Sequence, residues 1–203
     1  MSPRLKNRLT LLAIVGPFIV FFIVGRYFVD PWSLPRENKG QLIIPHVQIA
    51  ALELQDADGE PYDDADTQGL WSLLYVAGPD CDRACKNGLY YQMRQVQRTL
   101  GENMERLRRV VVLTAPASED LRGFLDDQAA GMVETRGDAG TVKAALAPAY
   151  EDAGGDAVGD IFVVSPDGQI FLRYPTHEDM DATLEEAENI RLDLERTLKG
   201  SLI

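Results

Sequence analysis

An apolar run followed closely by two cysteines is the feature that most restricts how this chain can fold. Residues 70–76 (Leu-Trp-Ser-Leu-Leu-Tyr-Val) are almost continuously apolar, which is typical of a central strand covered on both faces. Cys81 and Cys85, the only cysteines, follow after a short loop, and a helical pattern follows them. Amides at a helix N-terminus favour a thiolate, which is both a nucleophile and a ligand for soft metals. The pair is therefore the candidate reactive site.

The remaining pattern indicates an α/β fold. The other elements that it predicts are a strand at 47–54, a turn at 56–61, a helix from Leu89 to Leu107, a strand at 110–114, helices opening at Ser118 and Gly140, a hairpin at 161–174 and a helix at 178–199. Buried strands separated by helices predict parallel pairing, and the hairpin adds antiparallel strands. We therefore expect a thioredoxin-like three-layer sandwich with a central mixed sheet over residues 45–203.

The N-terminal segment has the pattern of a membrane anchor. Residues 9–29 are apolar except for Arg26, and about 20 such residues are needed to cross the hydrocarbon core. Arg4, Lys6 and Arg8 precede them, which predicts a cytoplasmic basic end at residues 1–8. Residues 30–44 are then expected to be a linker. These features predict a single-pass protein of the inner, cytoplasmic membrane with its C-terminal domain in the periplasm.

A cleaved signal peptide is the alternative for the same segment. Small residues suited to cleavage do not follow the apolar run, since Gly25 is followed by Arg26 and bulky residues. Either arrangement leaves the cysteines in an oxidising compartment. The chain has a net charge of −12, and the share carried by residues 41–203 is −16, which argues against a nucleic-acid partner.

Three segments together resemble a known family. They are Leu52–Pro61 (LELQDADGEP), Trp71–Val76 followed by Cys81-x-x-x-Cys85, and Phe162–Gly168 (FVVSPDG). Over residues 45–175 the chain resembles the Sco/SenC family of thioredoxin-like proteins, and the CxxxC spacing is the most specific part of the likeness. The family's single N-terminal anchor and outward-facing domain match as well.

The resemblance implies a role in assembling a respiratory enzyme. Members bind copper and help to build the binuclear copper centre of cytochrome c oxidase, as metallochaperones or as thiol–disulfide reductases. The implied partners are the copper-bearing subunit of the oxidase or other assembly factors. The implied ligands and redox groups are Cys81 and Cys85.

The sequence departs from the family at its third copper ligand. The family has a histidine a few residues before the late strand, whereas an ungapped match puts Ala157 there. Gly159-Asp160 stands where thioredoxin-type oxidoreductases have a cis-proline. The chain has two histidines, His46 and His177, of which His177 is the better, though weak, metal candidate because the chain reverses beside it.

The residues alone leave three uses of the pair open. Two thiolates suffice for linear Cu(I), because soft sulfur selects that ion. Thiol–disulfide reduction of a partner needs only the two cysteines, and would make the protein an enzyme. A degenerate module that docks on a membrane complex is the third use, with a structural disulfide. Met93 and Met104 are expected to fill the core rather than bind a metal.

Overall fold

The computed structural model describes residues 3–28, 38–150 and 155–201. The chain forms two compact units, Met1–Glu37 and Asn38–Ile203. The first contains the helix α1 (Pro3–Phe28), and the second is a mixed α/β domain.

Helix α1 coincides with the segment expected to be an anchor at residues 9–29. Its described side chains are those of residues 13–26, and large apolar ones among them are exposed, including Phe18, Phe21 and Phe22. Within the described ranges, none of the helices combines the length and the apolarity that a membrane span requires. Residues 30–37 of the expected linker lie outside the described residues.

One mixed sheet of eight strands organises the second unit. The strands are β1 (Gln41–Gln48), β2 (Leu54–Gln55), β3 (Pro61–Tyr62), β4 (Trp71–Ala77), β5 (Leu107–Leu113), β6 (Val133–Arg136), β7 (Ile161–Val164) and β8 (Gln169–Tyr174). Their order across the sheet is β1-β8-β7-β4-β5-β6-β2-β3. Strand β4 is parallel to β5 and antiparallel to β7, and β5 is parallel to β6. The expected mixed sheet is confirmed.

Helices cover both faces of this sheet. They are α2 (Asp64–Thr67), α3 (Arg83–Asn87), α4 (Val96–Thr99), α5 (Glu119–Asp127), α6 (Ala139–Ala145) and α7 (Met180–Gly200), with a π-helical segment, Gly88–Gln95, between α3 and α4. Alternate side chains of β4 enter different cores, because successive residues of a strand point to opposite faces. Leu73 and Tyr75 pack with residues of α3, α5 and α7, whereas Leu74 and Val76 pack with α6. The architecture is therefore three-layered, as expected.

Strand β4 is the most completely covered element of the sheet. All seven of its residues are buried, and it pairs along its length with β5 and over four residues with β7. Burial of each leucine side chain stabilises the fold by roughly 1.5–3 kcal/mol. The apolar run at residues 70–76 correctly predicted this central strand, which begins and ends one residue later, at Trp71 and Ala77.

The start of the domain differs from the expectation. Strand β1 begins at Gln41, so residues 41–44 belong to the sheet rather than to the linker expected at 30–44. The strand expected at 47–54 is interrupted by a 3-10 turn, Ile49–Leu52. Ile49 and Leu52 are both fully buried, and residues three apart lie on one face of such a turn. The spacing of Ile49 and Leu52 therefore belongs to a 3-10 turn, although the same residues also fitted the partial alternation of a strand.

One strand was missed in the sequence, and one helix ends earlier than expected. Strand β6 was not predicted, because its residues Val-Glu-Thr-Arg are mostly polar and Thr135 alone is fully buried. Met93 fills the core as expected, whereas Met104 lies on a 3-10 turn, Gly101–Arg106, and is 40% exposed. The helical pattern was extended too far along the chain, since the helix ends at Thr99.

The buried carboxylate of Asp193 holds the residues that precede β1, and this contact can be tested by mutation. Its Oδ2 accepts hydrogen bonds from the amides of Lys39 (2.7 Å) and Gly40 (2.9 Å) and from the Tyr174 hydroxyl (2.8 Å). Asp193→Ala leaves these donors without their acceptor, and we expect a loss of about 2–4 kcal/mol in the free energy of unfolding, measured by urea denaturation.

Glu185→Ala on the same helix is the matched control, because that side chain is exposed. We expect it to change stability by less than about 0.5 kcal/mol. Equal shifts of the two urea midpoints would contradict the role given to Asp193.

Candidate functional site

The two cysteines lie where β4 meets α3. The strand ends at Ala77, and the side chain of Asp82 caps α3 by accepting a hydrogen bond from the Cys85 amide at 2.9 Å. Cys81 therefore precedes the helix, and Cys85 lies in its first turn. We call residues 78–82 the cysteine loop.

The structure joins the predicted pair in a disulfide. Cys81 and Cys85 are bonded, with their Cα atoms 5.2 Å apart. Both residues are almost buried, at 5% and 4% exposure, and both pack in the core cluster that contains Leu73 and Tyr75. In this state neither sulfur is a thiolate, so the pair stores two oxidising equivalents rather than offering metal ligands.

Contacts from the β5–α5 connection hold the cysteine loop in place. The Ala77 carbonyl accepts hydrogen bonds from the amide (3.2 Å) and the hydroxyl (2.8 Å) of Thr114. The Pro79 carbonyl accepts one from the Ser118 amide at 2.8 Å. Because Ala77 and Pro79 are both tied to this connection, the start of the cysteine loop is held in a fixed position.

A pocket of about 290 Å³ opens beside Cys85. It is lined by Tyr75, Gly78, Asp80, Asp82, Ala84, Cys85, Val158, Gly159, Asp160 and Thr176. Cys81 is not among the lining residues. Of the two cysteines, Cys85 is therefore the one that borders the pocket.

Asp160 forms one wall of the pocket at the start of β7. Its Oδ2 accepts hydrogen bonds from the Tyr150 hydroxyl at 2.7 Å and from the Arg173 guanidinium at 2.9 Å. Arg173 also lies over the Tyr150 ring, 4.3 Å from its centroid. Burial raises the pKa of the Asp160 carboxyl, while Tyr150 and Arg173 act against that shift. The carboxylate is thus fixed in direction and partly neutralised.

Tyr75 forms the floor of the pocket and stays protonated. Burial raises the pKa of its hydroxyl well above the usual value, and the nearby carboxylates of Asp82 and Asp160 raise it further. A neutral phenol beneath a disulfide adds no charge to the site.

Residues 175–179, here called the strap, pack against α3 and the π-helical segment that follows it, which together are called the cysteine helix. The Asn87 amide group donates to the carbonyls of His177 (2.9 Å) and Glu178 (3.2 Å), and the Gln92 amide group donates to that of Pro175 (2.9 Å). Thr176 donates to the Gly159 carbonyl at 2.6 Å. The strap thereby connects the cysteine helix to the loop before β7.

Neither histidine joins the cysteines in a three-ligand group. His46 lies on β1, three strands from β4 and so roughly 14 Å away in the sheet, and its Nδ1 lies 3.0 Å from Gln169 Oε1. The His177 imidazole points to Glu186 on α7, with Nε2 3.7 Å from Oε2. Across the described ranges, no set of three or more His, Cys, Asp and Glu side chains is arranged to hold a metal.

The loop before β7 supplies apolar groups where the family has its third ligand. Ala157 is buried and packs in the core on the face of the sheet opposite to the cysteines. Val158 lines the pocket and is 44% exposed. Ala157, to which the ungapped match assigns the third-ligand position, is therefore not among the residues that line the pocket.

Sequence reasoning missed Asp160, Val158 and Thr176 as walls of the site. The available signal was the antiparallel pairing of β4 with β7, in which Tyr75 is opposite Ile161. That pairing brings the residues before β7 to the end of β4, but the direction of β7 could not be read from the sequence.

Comparisons with known proteins agree with this geometry. Residues 71–201 match the family described as "Transmembrane-like, thioredoxin-like, C-terminal domain". The chain belongs to this thioredoxin-like family. The match runs from β4 to α7 and includes both cysteines of the thioredoxin-like domain. Among curated proteins, none matches the chain significantly.

Solved Sco structures share the fold of this thioredoxin-like domain. Copper-bound yeast Sco1 has a TM-score of 0.54 and 15% identity, and the likeness covers 83% of this chain and 97% of that one. Apo Sco1 from Thermus thermophilus has a TM-score of 0.55 and 16% identity, with coverage of 81% and 99%. The Sco-like thioredoxin fold expected from the sequence is confirmed, and at these identities the likeness concerns the fold alone.

The close approach of the strap to the cysteine helix can be tested at Gly88. A Cβ atom at this position would lie 2.5 Å from Thr176 Cγ2. Gly88→Ala therefore displaces the strap, and we expect it to lower the free energy of unfolding by about 1–3 kcal/mol in urea denaturation.

Gly123→Ala is the matched control on helix α5, because no atom lies within 4 Å of its Cβ position. We expect it to stabilise the protein by up to about 1 kcal/mol, as alanine favours helix. The tight contact at Gly88 is wrong if both alanine variants are stabilised alike.

Proposed function

We propose that this protein is a membrane-attached, Sco-like accessory factor that exchanges disulfides with a partner protein outside the cytoplasm. The observation that carries the proposal is the Cys81–Cys85 disulfide bordering an open pocket at the end of the central strand. A disulfide with a purely structural role needs no pocket beside either of its cysteines. It would also add little stability, because the closed loop is very short.

The exchange proceeds in two displacement steps. In the reduced protein the Cys85 thiolate attacks one sulfur of a partner disulfide, and one partner sulfur leaves as a thiolate that takes up a proton. The Cys81 thiolate then attacks Cys85 Sγ, which releases the second partner sulfur and forms the Cys81–Cys85 disulfide. The partner gains two electrons and two protons, and a dithiol protein of the same compartment must reduce the pair again.

The geometry favours Cys85 as the sulfur that meets the partner. Cys85 borders the pocket, whereas Cys81, which is buried to the same extent, lies outside the lining. The fixed cysteine loop keeps Cys81 beside Cys85, so the resolving step needs little movement.

Copper handling is the second candidate, supported by the softness of the two sulfur donors. After reduction, two thiolates can hold Cu(I) in linear coordination, and the ion would be cargo for a partner. A third soft or imidazole donor does not fit, because Val158 borders the pocket and the His177 imidazole points to Glu186. Asp160 is a hard oxygen donor and is committed to Tyr150 and Arg173.

The compartment and the partner are further parts of the proposal. We infer an anchor at residues 9–29 from their apolar composition and from the basic residues before them. The copper-bearing subunit of cytochrome c oxidase is the partner that the resemblance suggests. Retention of the protein in membranes after alkaline extraction would support the anchor, and release would overturn it.

Trapping of the mixed disulfide tests the exchange. Reduced full-length protein is mixed with a disulfide-linked peptide, and adducts are followed by mass spectrometry. We expect Cys81→Ser to accumulate peptide on Cys85, and Cys85→Ser to react at least about tenfold more slowly, because Cys81 does not border the pocket. The wild-type protein should release both peptide thiols and become oxidised.

A Cu(I) titration of the same three proteins, in competition with a chelator, separates the two candidates. A stoichiometric complex of the reduced wild type that both variants lose would favour copper handling. If the reduced wild type fails to react with the peptide disulfide, the exchange proposal is wrong.

A further inference from the structure

The pocket beside Cys85 is walled by carboxylates from two separate parts of the chain. Asp80 and Asp82 belong to the cysteine loop, and Asp160 comes from the start of β7. Asp82 is held by its bond to the Cys85 amide, and Asp160 by Tyr150 and Arg173. Two of the three negative groups are therefore held in position around the pocket.

Cationic side chains near the site are engaged elsewhere or lie outside the lining. The Lys86 ammonium group pairs with Asp120 on α5 at 2.8 Å. The Arg173 guanidinium binds Asp160 and Gln41, so it compensates one carboxylate of the pocket and leaves Asp80 and Asp82. Arg83 is exposed next to Asp82 but is not among the lining residues.

The other walls of the pocket add no positive charge. They are the neutral phenol of Tyr75, the hydroxyl of Thr176, the exposed valine Val158, Ala84 and two glycines. The cations of the β5–β6 region face a separate cavity, where Arg122 pairs with Glu134 and Arg136 contributes to the lining. The pocket beside Cys85 is thus negative and partly apolar.

We propose that this pocket selects partner disulfides whose cysteine is flanked by lysine or arginine. The inference rests on the proposed exchange at Cys81 and Cys85 and names the class of substrate for that site. A basic flank meets Asp80 and Asp82 as the partner sulfur approaches Cys85, whereas an acidic flank meets like charge in a concave site. The neighbouring Val158 accommodates an apolar side chain of the same segment.

Electrostatic selection of this kind acts mainly on the rate of encounter. Clefts lined by one sign of charge raise the association rate of the opposite charge by about 10- to 1,000-fold at low salt. The effect falls when the Debye length shrinks, from about 30 Å at 0.01 M to about 3 Å at 1 M ionic strength. Salt dependence therefore distinguishes charge selection from shape selection.

The experiment compares three disulfide-linked peptide dimers that differ only at the residues beside their single cysteine, which are Lys, Gln or Glu. Reduced full-length protein is mixed with each dimer, and the second-order rate of oxidation of the Cys81–Cys85 pair is measured. Each rate is divided by that of dithiothreitol with the same peptide, which corrects for the reactivity of the peptide sulfur.

We expect the Lys dimer to react about 10- to 100-fold faster than the Glu dimer at low salt, and the ratio to fall at least about threefold in 0.5 M salt. The double variant Asp80→Asn/Asp82→Asn should lower the low-salt ratio at least about threefold, since asparagine keeps the helix cap but removes both charges.

Asp126→Asn/Asp127→Asn is the matched control. It also removes two negative charges, here from the exposed end of α5, and neither residue lines the pocket. We expect the Lys/Glu ratio to change by less than about 1.5-fold, because the field of the pocket remains.

The outcomes separate this inference from the function on which it rests. If all three dimers oxidise the pair at equal corrected rates, the charge selection is wrong and the exchange stands. Equal losses in the two double variants would assign the preference to the overall charge and overturn the pocket as its source. If no dimer oxidises the pair, both the exchange and the selection are overturned.

Discussion

The burial of β4 on both faces is the constraint on which the rest of the structure depends. Its seven buried residues alternate between two cores, so the helices of both outer layers pack against this strand. The loops that follow its two ends leave the core and reach solvent. The cysteine loop follows at one such end, and Cys81 and Cys85 extend the core of one face outward. The disulfide thus lies directly after the most completely buried strand of the domain.

The sequence predicted those parts of the fold that depend on local signals. The apolar run of β4, the Ser118 cap of α5 and the hairpin of β7 and β8 each have a pattern that is legible within a few residues. Strand β6 could not be predicted, because it is short and mostly polar. The cysteine pair was found from its spacing. Asp160 and Thr176 were not, because their place beside Cys85 arises from pairing between distant strands.

The loop before β7 sets the chemistry that the pair can support. In the family that the chain resembles, a histidine from this region completes a copper site, whereas here Val158 borders the pocket and Ala157 is buried in the opposite core. An apolar side chain cannot donate electrons to a metal, yet it leaves room for a partner's backbone. Under the proposed function, the same fold would accept a polypeptide sulfur where the resemblance implies a three-coordinate metal.

The disulfide joins residues close in sequence, whereas the pocket beside it depends on contacts between distant parts of the chain. Cys81 and Cys85 are four residues apart, so their bond can form within a segment that has no tertiary structure. The strap and the wall at Asp160 come from residues about 75 to 95 positions further along the chain, joined through contacts such as that of Asn87 with His177. An unfolded or newly made chain can therefore be oxidised, but it lacks the pocket to which we assign the choice of partner. On the proposed function, reactivity would belong to a short segment and discrimination to the completed fold.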